Sequence, residues 1–118
     1  MRMLAVSLLV AVAGLAAGAA APAAPQTITG VVGPGFTITL KQRGKVVRSL
    51  PPASYVFVID DRSKIHNFHL TGPGVNKTTS VAAVGKKTWR LTLRRGTYRF
   101  LCDPHPTVMK GKFTVQAP

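Results

Sequence analysis

Beyond residue 26, apolar and polar positions alternate along the chain with a period of two. Phe36, Ile38 and Leu40 fall on one side, with Thr37 and Thr39 on the other. Trp89, Leu91 and Leu93 oppose Arg90 and Thr92, and Tyr98, Phe100 and Cys102 oppose Arg99. Phe113 and Val115 oppose Lys112 and Thr114. Such alternation describes strands with one face in a core and the other in water. Residues 54–60 (SYVFVID) are more continuously apolar, as a strand buried on both faces would be. Turn signals separate the runs: Gly33, Pro34 and Gly35; Gly44; Pro51 and Pro52; Gly72, Pro73 and Gly74; Gly85; Gly96. Residues 71–77 are the longest stretch without a strand pattern. There is no helical period, heptad or internal repeat. About seven or eight short strands at this spacing predict an all-β fold, a Greek-key β-sandwich or barrel.

The first residues follow a different grammar. Arg2 precedes an apolar run over residues 4–17, and small residues fill 17–19 and 19–21. That is the three-part pattern of a secretory signal. Residues 1–24 are therefore read as signal and lead-in, and residues 25–118 as one domain. A retained membrane anchor is the alternative. Its Gly- and Ala-rich second half is weakly apolar, and no basic cluster follows at once. The expected location is outside the cytosol: periplasmic, extracellular or attached to the cell envelope.

Composition narrows the chemistry. Lys and Arg total 16 against three acids, a net charge of +13. So few carboxylates speak against a two-carboxylate hydrolase. The missing Gly-rich phosphate loop speaks against nucleotide hydrolysis. Acidic redox proteins or an anionic envelope surface are the partners such a charge attracts. Nucleic acid is not expected, because no aromatic residues interleave with the charges. A generally cationic solvated surface would look the same. The one cysteine cannot form an internal disulfide, and a lone thiol in an oxidising compartment needs either burial or a metal.

All three histidines and that cysteine fall in two short segments. His66, Asn67 and His69 lie in the first; Cys102, Asp103, Pro104, His105 and Met109 lie in the second. Taken singly, Cys102 reads as a core thiol, Met109 as packing and His105 as a surface residue. Together they are the donor set of a redox-active copper: two imidazoles and a thiolate in a trigonal plane, with a weak axial thioether. The strand-end loop supplies three donors, and only the first segment has a histidine for the fourth. His66 shares a strand face with Phe68 and Leu70, and His69 shares the other with Ile65 and Asn67.

With His66–Asn67, the run from Gly96 through Cys102 to His105, Met109, and Gly111 through Val115, the chain resembles the cupredoxins. These are small blue type 1 copper proteins of the plastocyanin, amicyanin and pseudoazurin kind. The resemblance covers residues 27–117. It implies His66, Cys102, His105 and Met109 as ligands to one copper ion, since the family's ligand histidine directly precedes Asn. His69 is then a polar-face histidine or a group behind the ligands. It also implies that Asn67 ties the two ligand segments together and that its backbone amide bonds the Cys102 sulfur. Asp103 is expected to cap the loop through backbone amides.

The function implied is one-electron transfer, with copper cycling between Cu(II) and Cu(I), by a monomer that is not an enzyme. His105 is the expected electron exit, under an apolar patch of Pro104, Pro106, Val108 and residues 72–74. The alternative is a copper-binding protein for delivery or sequestration. A metal-free secreted binding domain is a third reading.

Overall fold

The computed structural model describes residues 10–14 and 24–117. Most of the expected export signal, including both small-residue triplets, lies outside the described residues. The described residues contain no helix. They form ten strands: β1 (Gln26–Val32), β2 (Ile38–Gln42), β3 (Lys45–Val46), β4 (Ser49–Leu50), β5 (Ala53–Asp61), β6 (His69–Gly72), β7 (Val75–Thr78), β8 (Gly85–Leu93), β9 (Gly96–Leu101) and β10 (Lys110–Val115). One sheet has the order β3-β2-β1-β5-β8 and the other β4-β10-β9-β6-β7. The chain passes repeatedly from sheet to sheet, and the two sheets pack as an open sandwich rather than closing into a barrel.

The alternation places the core where it was read. Ile28 and Val32 of β1, Leu40 of β2, Leu91 and Leu93 of β8, Tyr98 and Phe100 of β9, and Phe113 and Val115 of β10 are buried between the sheets. Phe68 stacks on Phe100 at 5.4 Å, and Tyr98 on Phe113 at 5.2 Å. Each such side chain, once fully buried, contributes roughly 1.5–3 kcal/mol. Gly111 makes one of these contacts possible: a Cβ there would lie 2.2 Å from the Phe100 ring. The Tyr98 hydroxyl receives the Arg94 N–H at 3.1 Å and donates to the Arg94 carbonyl at 2.8 Å. That bond pins the β8–β9 corner.

Four expectations are corrected. The strand count rises to ten, because β3 and β4 are two-residue pairings too short to show a period. Residues 71–77, read as patternless, belong to a hairpin: β6 and β7 pair around Pro73 and Gly74, with Gly74 at φ +69°. Proline followed by a positive-φ glycine is the chemistry of a type II turn, which needs no apolar alternation beside it. The β5 strand is not buried on both faces. Tyr55, Phe57, Ile59 and Asp61 point inward, while Val56, Val58 and Asp60 are only half-buried on the outer face. Phe36 does not join the core with Ile38 and Leu40; it precedes β2 and is 59% exposed.

Strand direction sorts the loops into two ends. Loops 33–37, 62–68, 79–84 and 102–109 cluster beyond the ends of β1, β5, β7 and β9, at the end that carries Cys102. The β2–β3, β4–β5, β6–β7 and β8–β9 connections gather at the other.

Candidate metal centre

Cys102 follows directly on β9, and the loop after it closes on itself. The Cys102 N–H donates to the Met109 carbonyl, the His105 N–H to the Cys102 carbonyl, and the Met109 N–H to the His105 carbonyl, each at 3.0 Å. With its backbone polar groups satisfied internally, this short loop brings Cys102 and His105 to one place, with the Met109 backbone closing it. His66 arrives from the 62–68 connection between the sheets. Its Nδ1 lies 3.6 Å from the Cys102 Sγ, the Nδ1 of His105 lies 3.6 Å from the same sulfur, and the two nitrogens are 3.0 Å apart. Cys102, Met109 and His66 are buried, while His105 is half-buried. The exposed Phe36 ring meets both imidazoles edge-on, at 5.3 Å from His66 and 5.0 Å from His105.

This donor set fits copper. A soft thiol and two imidazoles, all turned to one point, suit both oxidation states of copper better than they suit hard ions. Met109 is wholly buried in the same loop.

His69 is not brought into this cluster. It opens β6, where its Nδ1 meets Asp103 Oδ1 at 2.8 Å and its Nε2 meets Asn76 Oδ1 at 2.6 Å. Two oxygen acceptors are both satisfied only when both ring nitrogens carry protons. The Asp103 hydrogen bond, then the Asn76 bond, accordingly raise its pKa against a smaller opposing effect of burial. Burial acts to raise the Asp103 pKa, but the bonds from His69 and Asn67 outweigh it and lower the pKa.

Asn67 is the tie that the resemblance implied, but through its side chain. Its Oδ1 accepts the Asp103 N–H at 2.8 Å, and its Nδ2 donates to Asp103 Oδ2 at 2.7 Å, to Thr78 Oγ1 at 3.1 Å and to the Thr79 carbonyl at 3.2 Å. Among the described contacts, the sulfur meets the two imidazoles and not the Asn67 amide. Asp103 does not cap the loop through backbone amides; its carboxylate reaches back to Asn67 and His69. The sequence carried the signal for this in the adjacency of Asp103 to Cys102, but not the distance across the fold to His69.

The His69–Asp103 pair predicts a pH window. A histidine pKa raised by folding contributes stability that is full below its unfolded value, about 6.5, and is lost as pH rises through the folded value. The lowered Asp103 pKa gives a contribution that is lost as pH falls through its own folded value. Melting temperatures of the wild type and His69→Gln should therefore differ most between these limits and converge at alkaline pH. A difference that stays constant with pH would remove the pair as its source.

Four of the large exposed apolar residues gather around this centre. Phe36, Ile65, Val84 and Val108 are each more than half exposed, and all lie in loops at this end. The expected contribution of residues 72–74 is corrected. Pro73 packs against Gly96, at the far end of β9 from Cys102. Phe36 takes its place, a residue whose alternation with Ile38 had suggested a core position.

Comparison with known proteins agrees with this geometry. No curated protein sequence matches the chain. Reduced rusticyanin superimposes with a TM-score of 0.58 at 21% identity, covering 76% of this chain and 78% of that one. Rusticyanin from Thiobacillus ferrooxidans gives 0.55 at 21% identity, covering 76% of each chain. At such identity the likeness is one of fold. The family model of copper-binding proteins of the plastocyanin/azurin kind matches residues 47–116, a span that holds His66, Cys102, His105 and Met109. With that match over more than half its length, and with His66, Cys102 and His105 arranged as a type 1 copper site, the chain belongs to the plastocyanin/azurin family of copper-binding cupredoxins.

Proposed function

We propose that this protein is an exported one-electron carrier, with His66, Cys102, His105 and Met109 as its copper ligands. The observation that carries the reading is the asymmetry of the centre: Cys102, His66 and Met109 are closed off from water, and His105 alone reaches toward the surface. Bound copper supplies a one-electron couple between Cu(II) and Cu(I). The chain supplies rigidity. The hydrogen-bonded 102–109 loop and the Asn67 tie hold the donors in one arrangement through both charge states, so little reorganises when an electron moves. Phe36 and the buried surroundings exclude water from the sulfur. His105 offers the shortest route outward, beneath the apolar rim of Phe36, Ile65 and Val108. A small apolar face of this kind suits a transient redox partner, because weak encounters bury little area. The N-terminal sequence supports export.

Delivery or sequestration of copper uses similar ligands but needs the ion to leave. Cyclic voltammetry of the copper-loaded protein, with analysis of retained metal, separates the two. A reversible one-electron wave with copper retained through repeated cycles is expected. Loss of copper on the first reduction would overturn the carrier reading.

A further inference from the structure

The end of the sandwich opposite the copper has a chemistry of its own. All three acids of the chain lie toward the copper end: Asp60 and Asp61 close β5, and Asp103 follows Cys102. Asp60 is paired with Arg62, and Asp61 is buried. The opposite end carries Arg43 and Lys45 at the β2–β3 turn and Arg94 and Arg95 at the β8–β9 turn, all exposed, with no acidic side chain beside them among the described residues. Arg43, Lys45 and Arg48, with Ser49, line a shallow hollow of about 260 Å³. Three cations and a hydroxyl around a hollow of that size suit a phosphate headgroup. Val46, also lining it, is 56% exposed, and among the described sandwich residues it is the large exposed hydrophobic that lies away from the copper-end loops.

Arg43 carries a second signal. The β2–β3 turn has two central residues, Arg43 at φ +51° and Gly44 at φ +78°, between the paired Gln42 and Lys45. A turn with both central φ values positive favours Asn or Gly at its first position. Arg is strained there, and packing does not account for the choice, since Arg43 is exposed. A cation stands where turn chemistry alone would place Asn.

The chain also enters at this end. Gln26, the first residue of β1, receives a hydrogen bond from Gln42 at 2.6 Å, next to Arg43. The described sandwich therefore begins at its cationic end. Among the described residues, no helix is long and apolar enough to cross a membrane.

We propose that the end formed by Arg43, Lys45, Val46, Arg48, Arg94 and Arg95 docks on the anionic phospholipid surface of a bilayer and holds the copper end facing away from it. Each cation at such a surface adds attraction that falls off within a Debye length. Val46 adds a small apolar contact at headgroup depth. The arrangement leaves His105 and its apolar rim free for a partner, and it does not depend on copper being bound.

The test is co-sedimentation of the full chain with equimolar phosphatidylglycerol–phosphatidylcholine vesicles and with phosphatidylcholine alone. The neutral vesicles measure whatever the N-terminal segment contributes. Neutralising one base cation should weaken the anionic-vesicle partition about fivefold, and the triple variant R43Q/K45Q/R48Q about a hundredfold. K64Q/K86Q/K87Q, with equal charge loss at the copper end, should lose far less. Arg43→Asn is the sharpest probe: its melting temperature should rise as the turn relaxes, while vesicle binding falls. Equal losses in the two triple variants, undiminished binding by R43Q/K45Q/R48Q, or equal binding to neutral vesicles would overturn the proposal. So would displacement by inorganic phosphate beyond that by chloride at matched ionic strength, which would mark a free-phosphate site. Equally tight, equally Arg43-dependent retention on immobilised polyglutamate would reassign this end to acidic proteins.

Discussion

Replacing Cys102 by Ser should abolish the intense visible absorption of the oxidised, copper-loaded protein and most of its copper-dependent stability. A serine hydroxyl is close in size to a thiol, and Cys102 is fully enclosed between the sheets. The copper-free variant should therefore fold, less stable than the wild type by about 1–3 kcal/mol for burying a hydroxyl in place of a thiol. What disappears is the soft anionic donor, because a hydroxyl stays protonated where a thiol bound to metal does not. A ligand present at about 100 times its Kd stabilises by about 2.7 kcal/mol, and that increment vanishes with the affinity. Melting curves with and without copper, beside the visible spectrum, measure both effects. If Cys102→Ser kept the colour and the copper-induced shift, the sulfur would not be a ligand and the assignment of the centre would fall.

Asn67→Ala should destabilise the copper-free protein by about 2–3 kcal/mol and weaken copper binding about 10–100-fold. Asn67 is 2% exposed, and its side chain joins the histidine segment to the cysteine segment and to the β7 end. Truncation leaves the Asp103 N–H and the Thr79 carbonyl without this partner, in a place water reaches poorly. The two ligand segments then lose the bonds that hold them in register, so the metal must organise them itself. Asn67→Asp should not rescue the loss. It keeps an acceptor for the Asp103 N–H but sets a second carboxylate against Asp103 Oδ2, where a donor 2.7 Å away is needed. Denaturant unfolding of copper-free protein and a copper titration report the two parts separately. Unchanged stability in both variants would mean that Asn67 is an ordinary buried polar residue.

The centre was unusually legible because its donors are rare residue types. With one cysteine and three histidines in the chain, Cys102 and the three histidines stand out by identity alone, and the structure brings Cys102, His105 and His66 together. Phe36 was misread for the opposite reason. It is one of many apolar residues, and its alternation with Ile38 and Leu40 obeys strand grammar although it lies before the strand begins. Alternation reports which way a side chain would point if the residue were in a sheet; it does not report whether the sheet extends that far. The β6–β7 hairpin escaped notice for a related reason. Its two short strands are held by backbone pairing and a Pro73–Gly74 turn, with only Leu70 fully buried to mark a period.

Local chemistry therefore determined what depends on residue type and near-neighbour spacing: the strands with a buried face, the turn positions, the donor loop at residues 102–109 and the excess of positive charge. Tertiary structure alone decided what depends on which distant segments meet. It turned Asp103 toward Asn67 and His69, set Phe36 edge-on against both imidazoles, and sent the acids to one end and Arg43, Lys45, Arg94 and Arg95 to the other. The reason is physical. A side chain's direction follows from its own backbone, whereas its neighbours across the fold follow from sheet order and register, which a linear pattern does not encode.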